Sequence, residues 1–266
     1  MCAIEHTTGA RLNTLSFSVR NDPLTMAALG SPKQNKLLAK LPSADFERLR
    51  PSLEKVPLPL GTALYESGGP QEYVYFPTDS IVSLLQVMRD GSSAEIAVVG
   101  NDGIVGFALF MGGQSSPSRG VVQNAGQGYR MKASVLKTEF ELGGALQHIL
   151  LRYTQALITQ MAQTAVCNRH HTVEQQLCRW LLLSLDRLPS NMLSMTQALI
   201  ANMLGVRREG VTEAAGRLQA SGLIEYSRGK ITVLDRPGLE KRVCECYEVV
   251  KRETDRLFPR GKFLPL

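Results

Sequence analysis

Leu193–Leu234 reads LSMTQALIANMLGVRREGVTEAAGRLQASGLIEYSRGKITVL. Its pattern predicts two helices joined by a tight turn and followed by a two-stranded hairpin. Ser194 with Gln197 three residues on has the form of a capping box, the serine accepting from the Gln197 amide and the glutamine reaching back. Ile200, Ala201 and Leu204 then make one apolar face at helical spacing. Gly205 follows at once, and glycine enters the left-handed conformation that a sharp helix stop requires. Val206, Val211, Ala215 and Leu218 mark the buried face of a second helix, which Gly222 ends. Ala201 is small where the two helices come closest. A helix-turn-helix of this kind offers its second helix to the major groove of DNA.

With Val211, Ala215 and Leu218 inside, Arg208, Glu209, Thr212 and Glu213 share the outward face near the start of the second helix. Arginine can donate twice to guanine O6 and N7, and glutamate can accept from the cytosine amino group. Arg207, Arg208 and Arg217 can also hold phosphates, and Thr196 and Gln197 open the first helix beside them. Leu223–Tyr226 and Ile231–Leu234 read as two strands, and Ser227-Arg228-Gly229-Lys230 between them reads as a wing tip carrying two positive charges. A helix-turn-helix used only as a protein scaffold is the competing reading. Glu209 and Glu213 repel phosphates, so they favour a helix that reads bases over one that grips the backbone.

The segment resembles the winged helix-turn-helix of the Crp/Fnr superfamily of bacterial transcription regulators. In that family an Arg-Glu pair at the start of the recognition helix reads the operator, and the matching residues are Arg208 and Glu209 in RREGVTEAAGRL. Many members carry a basic residue one turn later. Glu213 stands there in this chain, so the resemblance implies a different preferred operator. It extends back to about Leu37 and is most specific in the last third.

The chain has 266 residues, room for two small domains with their own cores. Its net charge of +6 suits a polyanionic partner. The apolar content of 44% is ordinary for a globular chain, and the single tryptophan, Trp180, is expected in the core. Five scattered cysteines, Cys2, Cys167, Cys178, Cys244 and Cys246, argue against a disulfide framework and for a reducing compartment. No apolar run approaches the roughly 20 residues of a membrane span, and no secretory signal follows Met1. A cytoplasmic location without membrane contact is therefore expected.

Residues 1–33 mix Thr, Ser, Asn, Gly and Pro without period and read as a mostly disordered extension, whose Arg11 and Arg20 are expected to be solvated, contact with DNA or a partner being the alternative. Lys36–Leu41 and Ser43–Leu53 read as short helices, the second with Ser43 as N-cap. From Val56 short β-branched and aromatic runs alternate with turn residues. Expected strands are Ala63–Tyr65, Tyr73–Phe76, Ile81–Met88, Ala94–Val99, Gly120–Gln123 and Gly128–Lys132, with a hairpin turning at Asp90-Gly91. That spacing indicates an antiparallel β-roll or barrel. Val135–Phe140 reads as a helix ending before Gly143-Gly144.

A long helix then starts near Ala145. Leu146, Leu150, Tyr153, Leu157, Met161 and Thr164 keep a seam on it, with Gln160 a polar interruption. Ile149, Ile158 and Ala165 widen the stripe, which suits packing both on the helix's own domain and on a second copy; a core helix packed only within its own chain is the competing reading. Asn168–Thr172 marks a break, Val173–Leu185 resumes as a helix, and Pro189–Asn191 is a loop. Gly238–Leu257 reads as one amphipathic helix with Leu239, Val243, Tyr247 and Val250 on one face and Lys241, Arg242, Lys251 and Arg252 outside.

The β-roll followed by a long helix also resembles the cyclic-nucleotide-binding domain of the same superfamily. There the phosphate cassette has a glycine, then a carboxylate that holds the ribose, and an Arg-Ser pair for the cyclic phosphate. Here the stretch 102–110 keeps Gly106, but Phe107, followed by Ala108, stands where the carboxylate belongs. A phenyl ring cannot accept the ribose hydrogen bond, and a buried hydroxyl without a partner costs about 1–3 kcal/mol. Arg119 can still hold an anion, though Ser118-Arg119-Gly120 is not an Arg-Ser pair in clear register. Cyclic AMP is thus not expected as a strong ligand, and the effector is unknown. Some relatives hold an iron–sulfur cluster on grouped N-terminal cysteines. Only Cys2 lies there, so that cofactor is not expected.

Cys167 and His170, with His171 next, are partial metal ligands, but no further set has recognisable spacing and a helix break is the simpler reading. Cys244-x-Cys246 is too close for a redox Cys-x-x-Cys motif, and helical residues two apart point away from each other. No phosphate loop, nucleophile elbow or paired-carboxylate pattern suggests an enzyme.

The resulting expectation is an α+β chain. It comprises the extension 1–33, a cyclic-nucleotide-binding-like sensor roll over 34–142, a dimerisation helix over 143–170 and a winged helix-turn-helix with C-terminal helix over 171–258. It would act as a homodimeric, sequence-specific transcription regulator. The partners implied are double-stranded DNA with a near-palindromic operator, a second copy, and RNA polymerase as a candidate. The alternatives are a non-specific nucleic-acid-binding protein and an effector-binding interaction scaffold.

Overall fold

A computed structural model describes residues 30–259, and Cys2, Arg11 and Arg20 lie outside the described residues. The described residues open on a 3-10 turn at Pro32–Gln34, just inside the span read as extension. Asn35 then caps α1 (Lys36–Ala39), its side chain accepting from the Leu37 and Leu38 amides. Its amide nitrogen also donates to the carbonyls of Pro77 and Gly103, so this fully buried residue ties the entry segment to the roll. Helix α2 (Ser43–Leu49) has Pro42 as its N-cap with no side-chain bond, so Ser43 is the first helical residue and not the cap. The helix stops before Leu53 because Pro51 leads it into a 3-10 turn at Arg50–Ser52.

Two antiparallel sheets form the roll. One is ordered β1 (Glu54–Leu58), β7 (Gly126–Lys132), β3 (Tyr73–Pro77). The other is ordered β2 (Ala63–Tyr65), β6 (Ser118–Asn124), β4 (Ile81–Val87), β5 (Ser93–Val99). Strand β1, which contains Pro57, is not among the expected strands. It lies at a sheet edge, where a missing amide donor costs no ladder bond. The β4–β5 hairpin turns at Asp90-Gly91, and Asp90 accepts from both the backbone and the hydroxyl of Ser92.

Helix α3 (Ala133–Glu141) leads through Gly143-Gly144 to α4 (Ala145–His170), which runs without a break to His170. Leu146, Ile149, Leu150, Tyr153 and Leu157 of α4 sit in the core of the roll. Gln160 completes that face: it accepts from the Val98 amide at 3.0 Å and donates to the Val98 carbonyl at 3.1 Å, as a neighbouring strand would.

Only His171 and Thr172 separate α4 from α5 (Val173–Leu185). Thr172 and Gln175 form a reciprocal capping box at this joint. A second core follows, in which Trp180 is buried among Leu177, Leu181, Ile200, Val211 and Leu218. Helix α6 (Gln197–Leu204), helix α7 (Arg208–Ala220) and the sheet β8 (Met192–Ser194), β10 (Lys230–Val233), β9 (Ile224–Ser227) make the winged helix. Ser194 ends β8, and the N-cap of α6 is Thr196, whose hydroxyl accepts from the Leu199 amide. The expected Ser194–Gln197 capping box is therefore displaced: β10 takes Ser194 as a strand partner of Lys230.

The C-terminal helix is two, α8 (Arg236–Arg242) and α9 (Glu245–Leu257), broken where Val243 and Cys244 turn extended. No helix among the described residues is long and apolar enough to cross a membrane.

Candidate nucleic-acid interface

Helix α6 ends at Gly205, which adopts φ +65° and closes the turn with its amide on the Ala201 and Asn202 carbonyls. The Val206 amide also bonds the Ala201 carbonyl at 3.0 Å, so the turn is a compact helix stop. Val206 is half-buried in that turn and does not belong to α7. Val211, Ala214, Ala215 and Leu218 anchor the inner face of α7. Arg207, Arg208, Glu209, Thr212 and Glu213 are exposed.

Arg207 is the N-cap of α7 and makes no side-chain capping bond there. Thr212 Oγ1 lies 2.8 Å from Gln197 Oε1 and 3.0 Å from the Arg208 carbonyl, so the two helices of the motif are linked at their outer rim. Arg217 faces sideways. Its Nε lies 2.7 Å from Glu174 Oε2 on α5, and Arg242 approaches the other Glu174 oxygen at 3.1 Å. The Arg217 guanidinium, ahead of Arg242, holds the Glu174 carboxyl below its usual range. Arg217 thus braces α7 against α5.

Ser227 and Lys230 pair across the wing, leaving a two-residue turn of Arg228 at φ +49° and Gly229 at φ +77°. Positive φ at both central positions is the hairpin turn that matches strand twist. The wing tip is pinned to the motif: the Met195 amide donates to the Gly229 carbonyl at 2.7 Å, and Tyr226 donates its hydroxyl to the Met195 carbonyl at 2.9 Å. Thr196, Gln197, Arg208, Tyr226, Arg228 and Gly229 together line an open cleft of about 270 Å³ between wing and helix. Lys230 is exposed one residue beyond it. Tyr226 was legible in the sequence only as a strand residue, since its link to Met195 spans 31 positions.

Residues 175–242 match the family described as the Crp-like helix-turn-helix domain. This segment of the chain is thus similar to a Crp-like helix-turn-helix domain. Several solved structures share the architecture of most of the chain. A Crp/Fnr-family transcriptional regulator from Eubacterium rectale superposes with a TM-score of 0.62 at 17% identity, over 79% of this chain and 98% of that one. FixK2 from Bradyrhizobium japonicum gives 0.60 at 18% identity, over 72% and 98%. CLP from Xanthomonas campestris, described as a c-di-GMP-responsive global regulator, gives 0.58 at 16% identity, over 73% and 100%. At these identities the likeness is one of fold. No curated protein matches the sequence.

The turn that follows β5 is built around Gly106, at φ +100°, where an added Cβ would come 3.1 Å from Val74 Cγ1. It caps a 3-10 turn at Phe107–Leu109. Phe107 packs against the roll core, while Ala108 is half-buried. Arg119 engages Glu66 at 2.9 Å. On the long helix, Leu146, Leu150, Tyr153 and Leu157 are 0–6% exposed, Met161 packs on the same core, and half-buried Thr164 accepts from Arg179 at 2.7 Å. These seam residues face their own roll. The large apolar residues of α4 that meet solvent are Leu151, Ile158 and Val166.

Proposed function

We propose that this protein is a sequence-specific, DNA-binding transcription regulator that works as a homodimer. One observation carries the reading: Arg208, Glu209, Thr212 and Glu213 stand exposed at one end of α7, beside a wing tip bearing Arg228 and Lys230. An arginine and a carboxylate at the tip of a groove-sized helix can discriminate base pairs, and the flanking cations can hold phosphates. Thr196 and Gln197 at the start of α6 extend the phosphate-facing rim. Two copies would set their recognition helices roughly 34 Å apart on a near-palindromic site.

The dimer surface we assign is the outer stripe of α4, Leu151, Ile158, Ala162 and Val166, which recurs at spacings of seven, four and four. Control would come from the roll, a ligand or partner there shifting the population of DNA-competent dimers. Phe107 at the ribose position disfavours cyclic AMP. The fold-level likeness to a c-di-GMP-responsive regulator makes a cyclic dinucleotide the first compound to assay.

Selection on random DNA with the purified protein, repeated with Arg208→Ala, tests the reading. A base-reading α7 predicts an enriched palindromic motif and a loss of about 1–3 kcal/mol confined to one base position in each half-site. An even loss over all sequences would instead mark a non-specific nucleic-acid-binding protein. Absence of any salt-dependent affinity would leave only a protein scaffold.

A further inference from the structure

Four soft donors converge at the joint between the long helix and the winged domain. Cys167 lies in the last turn of α4, and His171 is its C-cap. Cys244 and Cys246 come from the junction of α8 and α9. Their ligand atoms all lie within 4.8 Å of one another, and among the described residues no other group of three or more His, Cys, Asp or Glu is so placed as to hold a metal ion. Cys167 Sγ is 3.6 Å from Cys244 Sγ, and Cys246 Sγ is 3.6 Å from His171 Nδ1. The three cysteines are at most 3% exposed, and all are free thiols.

We propose that Cys167, His171, Cys244 and Cys246 form a tetrahedral zinc site. A tetrahedron with Zn–S of about 2.3 Å has edges of roughly 3.8 Å, close to the two separations above. A two-iron cluster would hold ligands on different metals farther apart than this group reaches, so a single ion fits. Three thiolates and an imidazole select a soft divalent metal over a hard one.

The surroundings suit that charge and geometry. His171 directs Nε2 to Glu245 Oε2 at 3.3 Å, leaving Nδ1 toward the thiols. A carboxylate on the far nitrogen fixes the tautomer and orientation of a metal-bound imidazole. Three thiolates on one divalent ion leave a net charge of −1. Arg179, only 6% exposed, donates to Thr164, three residues before Cys167 on α4, and supplies the opposite sign nearby.

The broken C-terminal helix has a reason in this arrangement. In one continuous helix Cys244 and Cys246 would point apart. Cys244 instead takes φ −77°, ψ 164° ahead of α9, and both thiols turn to the same point. The ion would clamp the end of α4, at the Thr172 joint, to the last two helices. This assignment rests on the fold alone and does not depend on DNA binding.

The test uses full-length protein, purified under reduction and titrated with cobalt(II) as a spectroscopic stand-in, with total zinc measured by mass spectrometry. The expected result is about one metal per protomer, with thiolate-to-cobalt charge transfer and the visible bands of a tetrahedral ion, bleached by zinc. His171→Ala and the Cys244→Ser/Cys246→Ser pair abolish the bands, Glu245→Gln weakens binding about 10-fold, and exposed His170→Ala leaves it unchanged. Circular dichroism of each variant separates loss of the site from loss of the fold. Wild-type protein that takes up no cobalt when reduced, including protein isolated with a Cys167–Cys244 disulfide, overturns the proposal. So do tetrahedral bands that survive in the cysteine double variant.

Discussion

Arg187, two residues past the end of α5, grips Asp102 in the roll with both arms of its guanidinium, Nε to Oδ1 and Nη2 to Oδ2 at 3.0 Å each. A third donor, Nη1, bonds the Leu183 carbonyl. The arginine side chain is 7% exposed and the aspartate 20%. Removing one partner strands a charge in a largely dry place. Such a loss costs about 3–5 kcal/mol when burial is complete, and about 2–3 kcal/mol is expected for Asp102→Ala given its partial exposure. The Arg187→Met/Asp102→Ala double variant should lose less than the two single losses added. Urea unfolding of all four proteins measures the coupling, and strict additivity would mean the pair contributes nothing of its own.

A contact between the roll and α6 is expected to respond to pH. Ser83 Oγ bonds both Glu95 and Gln123 and lies 3.2 Å from Met203 Sδ of α6. A serine hydroxyl has one proton, so it cannot donate to two acceptors at once. With Glu95 protonated, its carboxyl can donate to Ser83 while Ser83 donates to the Gln123 carbonyl oxygen. Burial pushes the Glu95 carboxyl up to about 7, against the opposing pull of Ser83, Arg179, Arg187 and Trp180. The folded state therefore binds a proton that the unfolded chain releases above its ordinary carboxylate range. Stability is fully present below about pH 4.5 and falls as pH rises toward 7, by on the order of 3 kcal/mol for this group. Denaturation midpoints between pH 5 and pH 8 should carry that slope, and Glu95→Gln should flatten it. An unchanged slope in the variant would place the titration elsewhere.

Arg228 is the one non-glycine residue with positive φ among the described residues, at +49°. A non-glycine side chain there costs about 1–2 kcal/mol, which a purely structural turn would avoid. Arg228→Gly should therefore raise the unfolding free energy by up to about 1 kcal/mol. The same change should weaken DNA binding evenly across sequences and reduce the salt slope by about one. Gains in both stability and affinity would remove the wing tip from the interface.

Much of this was visible in the residues themselves. Gly205 between two apolar faces announces the turn, Asp90-Gly91 announces the hairpin, and Gly143-Gly144 sets the start of α4. What local pattern does not carry is which neighbour arrives. Ser194 has a fair capping sequence, yet β10 captures it. Pro57 argues against a strand until β7 presents itself at a sheet edge. The cysteine group draws Cys244 across 77 positions to Cys167, which no spacing rule reaches. Helix α4 is the sharpest case. Its seam is real, but periodicity alone does not say whether the roll or a second helix covers it.

The two stripes of α4 make different demands on substitution. Leu150 is fully buried in the roll core, so Leu150→Ala should cost about 2–5 kcal/mol and lower the melting temperature outright. Ile158 is 58% exposed and Leu151 51% exposed, so neither contributes much to the fold of one copy. If the outer stripe closes a dimer, Ile158→Glu places like charges face to face across the two-fold axis in an apolar seam. The expected outcome is a monomer by analytical ultracentrifugation, with circular dichroism unchanged and affinity for a palindromic site reduced at least about 100-fold, since half of a bivalent contact is lost. A dimer that persists through both Ile158→Glu and Leu151→Glu would put the contact on another face of the molecule.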